Sequence, residues 1–217
     1  MEVNTVLFDL DGTLTNSGPG IMNSVQYALK RFGMETDDLS KLRCFIGPPL
    51  QQQFHDFCGF SEQESVQAVE YYREYYVGKG IYENEVYQGI PELLAELKNA
   101  GKKIIMATSK PEKFARIIAE HFKIDQYFDF IAGALMDDKR TKKKEVIEYA
   151  LDSCGIADKG AVLMIGDRNY DIIGARQAGV HSMAVLYGYG TRQELEEAKP
   201  DLMAASPKDV GDCILNK

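Results

Sequence analysis

The sequence predicts an α/β fold, a doubly wound parallel sheet with a small all-helical domain inserted into it. Two observations predict this. Short apolar runs alternate with amphipathic helical patterns through most of the chain, as expected of parallel strands covered on both faces. One interval near the N-terminus, from about residue 16 to about residue 86, carries helical periodicity and no convincing strand.

The composition fits one large domain, or one domain with a modest insertion. The 217 residues are 45% hydrophobic, enough for a sizeable core, which excludes wholesale disorder. Lysine and arginine number 25 against 33 acidic residues, and the net charge of -8 argues against nucleic acid or an anionic membrane as partner. No apolar run approaches a membrane span, and the first residues do not form a secretory signal. Four scattered cysteines without a CxxC pair favour a reducing, cytoplasmic location.

The predicted strands are short and apolar, and each is followed by a helical pattern. The helix predicted over Pro91–Ala100 places three leucines on one face, as a helix that covers a sheet requires. The strands are predicted at Thr5–Phe8, Lys103–Ala107, Phe130–Ala132, Ala161–Ile165 and His181–Leu186.

The helical interval is too long to be a crossover between two strands. Gly47-Pro48-Pro49 marks a rigid turn in its middle. We therefore predict a core domain over residues 1–15 and 87–217 and a helical cap domain over residues 16–86. Two apolar stripes at helical spacing define helices of this cap: Ile21, Val25, Ala28, Leu29 and Phe32, then Val66, Val69, Tyr72 and Tyr76.

Two aspartates, Asp9 and Asp11, follow the first predicted strand. Because side chains alternate along a strand, both carboxylates project to the same side at its carboxyl end, where α/β sheets bind ligands. Such a pair suits a hard cation such as Mg²⁺, and an aspartate can also form an aspartyl-phosphate. A calcium loop is excluded because its glycine and glutamate positions hold Leu14 and Gly20. A solvated turn with incidental acids is the alternative for this segment taken alone.

Three further polar sites stand at predicted strand–helix junctions. Thr108 and Ser109 end a strand just before a helix, where free N–H groups favour a phosphate, although such hydroxyls are often only helix caps. Three lysines at 142–144 precede another helix, a pattern more often found on a solvated surface. Asp167 and Asp171 place two acids beyond the strand that ends at Ile165.

Together, and in this order, the four sites resemble the haloacid dehalogenase superfamily of phosphohydrolases. The resemblance covers nearly the whole chain, and the helical interval resembles that superfamily's C1 α-helical cap. Within the superfamily the chain is most similar to the phosphoglycolate phosphatase-like branch, through Ile46–Leu50 and Gly188-Tyr189-Gly190. It departs from many relatives at Asn16-Ser17, where they carry Asp-Ser, which weakens any assignment to phosphoglycolate or to sugar-phosphate mutases in particular.

The resemblance implies a role for each site residue and a bound Mg²⁺. Asp9 matches the nucleophile, and Asp11 matches the general acid/base, whose backbone carbonyl is also a metal ligand. Thr108 matches the hydroxyl that holds the phosphoryl group. Lys143 matches the phosphate-neutralising lysine, with Lys142 and Lys144 as rivals. The metal set then consists of Asp9, Asp11, Asp167 and Asp171, with Asp171 either ligating the metal or orienting the site.

The expected function is a Mg²⁺-dependent phosphatase acting on a small phosphate monoester: phosphoglycolate, a sugar phosphate or a nucleoside 5′-monophosphate. An acid at Asp11 favours phosphate chemistry over dehalogenation, because the dehalogenases use no acid there. A phosphomutase of the β-phosphoglucomutase type and a non-catalytic binding protein are the alternatives. The expected substrate contacts are Ser109 in the core and Arg43, Gly47 and Pro48 in the cap. We expect a monomer or homodimer that binds neither nucleic acid nor membrane.

Overall fold

The computed structural model of the chain describes residues 2–136 and 139–216 and contains two units. One unit combines the residues up to Thr15 with those from Val86 onward, and the other is Asn16–Glu85. The division after Glu85 lies one residue before the boundary expected from the sequence. Thr15 forms a bridge with Val86, so the two crossings between the units are neighbours in space.

The first unit is built on a parallel sheet of six strands in the order β3-β2-β1-β4-β5-β6. The predicted doubly wound α/β fold is confirmed. The chain runs outward from β1 in both directions, so β1, β2 and β4 flank the point where the strand order reverses and where such sheets bind ligands. The strands are β1 Thr5–Phe8, β2 Lys103–Pro111, β3 Phe130–Ala134, β4 Val162–Gly166, β5 His181–Val185 and β6 Leu202–Ala204.

Two strands differ from the sequence expectation in ways that matter. The sixth, β6, was not expected, because it has three residues of which two are only half-buried. Strand β2 continues four residues beyond Ala107 to Pro111, with a register shift against β3 between those two residues. Thr108 and Ser109 therefore lie within an irregular strand, and the expectation that they stand just before a helix is wrong.

The second unit consists of helices α1 Gly18–Arg31, α2 Leu50–Cys58 and α3 Glu62–Gly78, with 3-10 turns at Leu39–Phe45 and Gly80–Tyr82. Helix α3 begins with a capping box in which Ser61 and Glu64 bond each other's backbone N–H. Its buried face differs in part from the predicted stripe: Tyr72 and Tyr76 stack in the interior, whereas Val66 is 45% exposed. The helix turns Ser65 and Ala68 inward instead.

The helices of the first unit cover both faces of the sheet. They are α4 Ile90–Asn99, α5 Glu112–His121, α6 Lys143–Ser153, α7 Asn169–Ala178, α8 Arg192–Ala198 and α9 Pro207–Leu215. Apolar side chains of α6 and α7 bury one face, including Leu7 of β1, Ile105 of β2 and Met164 of β4. This packing fixes the starts of α6 and α7 at the carboxyl edge of the sheet. Among the described residues, no helix combines the length and apolar character that crossing a membrane requires.

Candidate active site

Three buried carboxylates converge at the carboxyl ends of the two central strands. Asp9 directly follows β1, Asp167 directly follows β4, and Asp171 lies in the first turn of α7. Strands β1 and β4 pair in parallel register up to Phe8 and Ile165, which brings the two following loops together. Each residue offers a carboxylate oxygen within 4.8 Å of those of the other two.

Lys143, the first residue of α6, joins two of these carboxylates. Its Nζ lies 2.7 Å from Asp9 Oδ1 and 2.8 Å from Asp171 Oδ1, and it donates a third bond to the Ala107 carbonyl. The side chain is buried, as only a lysine with such partners can be. Lys142 is exposed and Lys144 pairs with Glu148 on the surface, so Lys143 alone of the three reaches this cluster.

Asp11 projects from the loop after β1 and pairs with Lys110. The Lys110 ammonium lies 2.7 Å and 3.0 Å from the two carboxylate oxygens. Sequence reasoning did not assign Lys110 a role. A signal was available, because Lys110 is two residues beyond Thr108 on a strand, and alternate strand residues share a side.

Thr108 is buried beside the same loop. Its Oγ1 accepts a bond from the Lys110 backbone N–H at 3.2 Å, which leaves the hydroxyl hydrogen available to donate. Ser109 is half-buried, on the alternate position of the strand. The structure thus brings Lys110 from β2 to Asp11, and Thr108 is bonded to the backbone of that lysine.

A loop after β5 braces Asp167 from the other side. The Tyr189 N–H donates to Asp167 Oδ2 at 2.7 Å, and the Thr13 hydroxyl donates to Oδ1 at 3.3 Å. Gly12, at φ +84°, and Gly188 approach so closely that a Cβ on either would overlap the Asp167 side chain. Sequence reasoning noted the glycines around Tyr189 without connecting them to Asp167, because the contact joins segments far apart in the chain.

Burial dominates the electrostatics of the cluster. It raises the pKa of Asp9 from 3.8 to about 6, with Lys143 opposing the rise and Asp171 and Asp11 adding to it. Burial and the neighbouring carboxylates likewise raise the pKa of Asp167 well above its usual range. Burial acts to lower the pKa of Lys143, but Asp171 and Asp9 outweigh it and raise that pKa.

The donor set suits a hard divalent cation. Four carboxylates face two ammonium groups, an excess of two negative charges when all are ionised. Burial, together with the neighbouring carboxylates, raises the pKa values of Asp9 and Asp167, and a bound cation would offset this cost of their negative charges. Both oxygens of Asp171 are already engaged, by Lys143 and by the Arg168 N–H, so Asp171 also orients the cluster.

The remaining predicted contacts lie in the helical unit. Arg43 is exposed near the end of the 3-10 turn Leu39–Phe45. Gly47 follows with φ +107°, a conformation that favours glycine, and Pro48 is half-buried before α2. Gly47 and Pro48 thus lie in an irregular segment between two helical elements, as the sequence predicted for Gly47-Pro48-Pro49.

Comparison with known proteins extends the similarity over the whole chain. A family model described as haloacid dehalogenase-like hydrolase matches residues 6–185. The chain is 49% identical to a 5′-nucleotidase from Pseudomonas aeruginosa, over 90% of this chain and 88% of that protein. It is 30% identical to phosphoglycolate phosphatase 1 of the same species, over 96% of this chain and 78% of that protein. The crystal structure of a predicted phosphatase from Clostridium acetobutylicum matches with a TM-score of 0.96 and 44% identity, over 100% of both chains.

Proposed function

Because the chain belongs to the haloacid dehalogenase-like hydrolase family and is a phosphoric monoester hydrolase, we propose that it hydrolyses a small phosphate monoester through an aspartyl-phosphate on Asp9. The observation that carries this proposal is the placement of Asp9 within 2.7 Å of the buried Lys143 ammonium, with Asp11 two residues further along the same loop. A nucleophile, a fixed positive charge and a second acid thereby meet at one strand end.

The first chemical step forms one bond and breaks another at phosphorus. Lys143 holds Asp9 Oδ1, so Oδ2 is the oxygen directed to attack. The new bond joins Asp9 Oδ2 to phosphorus, and the bond from phosphorus to the ester oxygen breaks. Protonated Asp11 gives its proton to that leaving oxygen, and the product alcohol departs. The Thr108 hydroxyl donates to a phosphoryl oxygen, and Lys143 offsets part of its negative charge.

The second step regenerates the enzyme. The Asp11 carboxylate accepts a proton from a water molecule whose oxygen then bonds to phosphorus. The bond between phosphorus and Asp9 Oδ2 breaks, inorganic phosphate is released, and Asp11 is again protonated for the next cycle. One carboxyl group therefore serves as acid and then as base.

We place Mg²⁺ among the carboxylates of Asp9, Asp167 and Asp171 and the backbone carbonyl of Asp11. Oxygen donors are the ligands this ion prefers, and the excess negative charge of the cluster matches its valence. When bound, the ion neutralises phosphoryl charge that would otherwise repel the Asp9 carboxylate. Asp167 is held in place for this role by its hydrogen bonds from Thr13 and Tyr189.

The similarity to a protein named 5′-nucleotidase favours nucleoside 5′-monophosphates as the first substrates to test. Phosphoglycolate and sugar phosphates complete the panel, with inorganic phosphate release as the measurement. A requirement for a sugar bisphosphate primer would instead identify a phosphomutase. The cysteines Cys44, Cys58, Cys154 and Cys213 are all free thiols, which suits the cytoplasmic location that we propose.

The decisive experiment combines metal depletion with a nucleophile variant. Turnover should vanish in excess chelator and return with Mg²⁺. Asp9→Asn should lower kcat at least about a hundredfold, because the change is nearly isosteric but removes the attacking charge. Asp158→Asn, which changes an exposed aspartate at the turn before β4, is the matched control and should leave kcat unchanged. Acid quenching of the wild type during turnover should trap a phosphoryl group on the peptide containing Asp9. Full activity in chelator, or in folded Asp9→Asn, would contradict the proposal.

A further inference from the structure

We propose that Lys110 is a positioning residue that holds the Asp11 carboxyl group in the orientation needed for proton transfer. The inference rests on the proposed function, because it concerns the residue that protonates the leaving oxygen. It adds a second lysine to the site, with a task different from that of Lys143.

The geometry of the pair supports a positioning role. Lys110 Nζ lies within hydrogen-bond distance of both Asp11 oxygens, at 2.7 Å and 3.0 Å, so the plane of the carboxylate is fixed as well as its location. The two side chains are only 6% and 12% exposed. A pair this sheltered from water and this well aligned is held far more firmly than a surface ion pair.

The backbone that carries Lys110 is itself fixed. Strand β2 shifts register against β3 between Ala107 and Pro111, and Lys110 lies in that irregular stretch. Its N–H is bound to Thr108 Oγ1, which ties the lysine backbone to the hydroxyl proposed to hold the phosphoryl group. The extra length of β2 thus serves to deliver a lysine to the loop that follows β1.

The two lysines contact different members of the carboxylate cluster. Lys143 contacts Asp9 and Asp171, and Lys110 contacts Asp11. Lys110 also supplies positive charge to the cluster, but its contact with both oxygens of Asp11 fixes the orientation of that carboxylate in addition. Asp11 lies on a loop, where a carboxylate without a partner would sample several rotamers and would spend less time aligned with the leaving oxygen.

The leaving group provides the test of this role. An alkyl phosphate expels a strongly basic alkoxide and needs a proton from Asp11. p-Nitrophenyl phosphate expels a weakly basic phenolate and needs little protonation. Lys110→Met should therefore lower kcat/KM for glycerol phosphate about tenfold to a hundredfold, part of what general acid catalysis contributes, and change kcat/KM for p-nitrophenyl phosphate less than about threefold. The comparison uses kcat/KM because it reports the steps up to departure of the alcohol, whereas kcat also includes the second step, in which Asp11 acts as base for both esters. Lys113→Met, which removes an exposed lysine from α5, is the matched control and should alter kcat/KM for neither ester.

A double-mutant cycle separates action through Asp11 from any other role. In an Asp11→Asn background, adding Lys110→Met should cause no further loss on glycerol phosphate, because the residue that it positions is already absent. Lys110→Gln, which keeps an N–H donor, should recover part of the loss. Circular dichroism and thermal unfolding establish that each variant is folded. If Lys110→Met does not fold, Lys110→Gln takes its place in the cycle.

Equal losses of kcat/KM on both esters, or additive losses of kcat/KM in the Asp11→Asn background, would overturn the inference and make Lys110 a phosphate-binding or structural residue. These outcomes differ from failure of the proposed function. If wild-type protein hydrolyses no phosphate monoester, the proposed function fails. If it hydrolyses both esters and Lys110→Met shows no selectivity, only the inference about Lys110 fails.

Discussion

At the scale of single residues, one ammonium group stabilises two carboxylates that are almost entirely buried. Lys143 lies between Asp9 and Asp171 at 2.7 Å and 2.8 Å, and all three side chains are buried. Desolvation of each charge is costly, and the attraction to Lys143 offsets part of that cost for both carboxylates. Lys143 is therefore a residue that both the proposed reaction and the fold need.

Lys143→Met should lower the free energy of unfolding by about 3–5 kcal/mol, because it leaves two buried carboxylates without a counterion. Urea unfolding at pH 7 without divalent cations measures the change. Lys144→Met is the matched control, since that exposed side chain pairs loosely with Glu148, and should stay within about 0.5 kcal/mol of wild type. A loss from Lys143→Met as small as that of the control would show that the pairings contribute little to stability.

Asp9→Asn should stabilise the cation-free protein at pH 7. The pKa of Asp9 is about 6 in the folded protein and 3.8 ordinarily, so the folded state binds the proton more tightly. The stability that comes from this tighter proton binding is present below pH 4 and is lost as the pH rises through 6. Asparagine avoids that loss, which amounts to about 3 kcal/mol at pH 7 and is smaller at pH 5.

Thermal unfolding of Asp9→Asn and wild type in chelator, at pH 7 and pH 5, tests this prediction. Added Mg²⁺ should make wild type the more stable of the two proteins, because wild type binds the ion better. A variant that is less stable than wild type in chelator at pH 7 would contradict the assigned direction of the Asp9 pKa.

At the scale of elements, loops rather than helices or strands complete the site. The loop after β1 carries Asp9 and Asp11, and the loop after β5 supplies the N–H of Tyr189 to Asp167. Tyr187 of the second loop donates its hydroxyl hydrogen to the carbonyl of Thr13 in the first, at 3.1 Å. The two loops therefore hold each other, and glycines permit the close approach.

Gly188→Ala should weaken Mg²⁺ binding about tenfold, because a Cβ there would overlap both the Asp167 side chain and the Gly12 carbonyl and push the loop away from the ligand. Titration calorimetry of the substrate-free protein measures the affinity directly. Gly78→Ala is the control, since a Cβ at Gly78 meets no atom within 4 Å, and should leave the affinity unchanged. Equal affinities for wild type and folded Gly188→Ala would remove the loop from any role at the metal site.

At the scale of the whole molecule, the proposed catalytic groups all belong to one of the two units. Each catalytic and metal-binding group proposed above lies in the sheet unit and acts on parts that any phosphate monoester shares. Discrimination among esters must come from contacts with the rest of the substrate, and we propose that residues of the helical unit supply them.

Arg43→Ala and Pro48→Ala should each change the ratios of kcat/KM among nucleoside, sugar and carboxylate-bearing monoesters by about tenfold or more. The kcat/KM for p-nitrophenyl phosphate should change less than about threefold. An arginine can meet a substrate carboxylate, and a proline-stiffened turn holds its position at low entropic cost. Lys41→Ala, an exposed neighbour in the same segment, is the control. A uniform loss on every ester would assign these residues to folding.

The sequence predicts the fold class, which the structure confirms, and it also predicts the helical interval and the four carboxylates. These follow from local patterns: apolar runs of strand length, helical periodicity, and acids placed directly after strands. Such patterns predict a shared site because the strands of a parallel sheet have their carboxyl ends at one edge, independently of the conformation of the loops that connect them. The family resemblance and the enzyme class rested on the same positions, and the comparisons confirm both.

Only the tertiary structure decided which lysines reach the site and what holds the aspartates. Neighbours in the run 142–144 differ in burial because the start of α6 turns one of them inward, which a charge pattern does not reveal. The pairing of Lys110 with Asp11 depends on the register shift in β2. Asp167 contacts Thr13, which lies more than a hundred residues earlier in the chain, and Tyr189, which lies about twenty residues later. Contacts of this kind are set by how elements pack, because strand register and helix rotation are fixed by the whole core and not by any local segment.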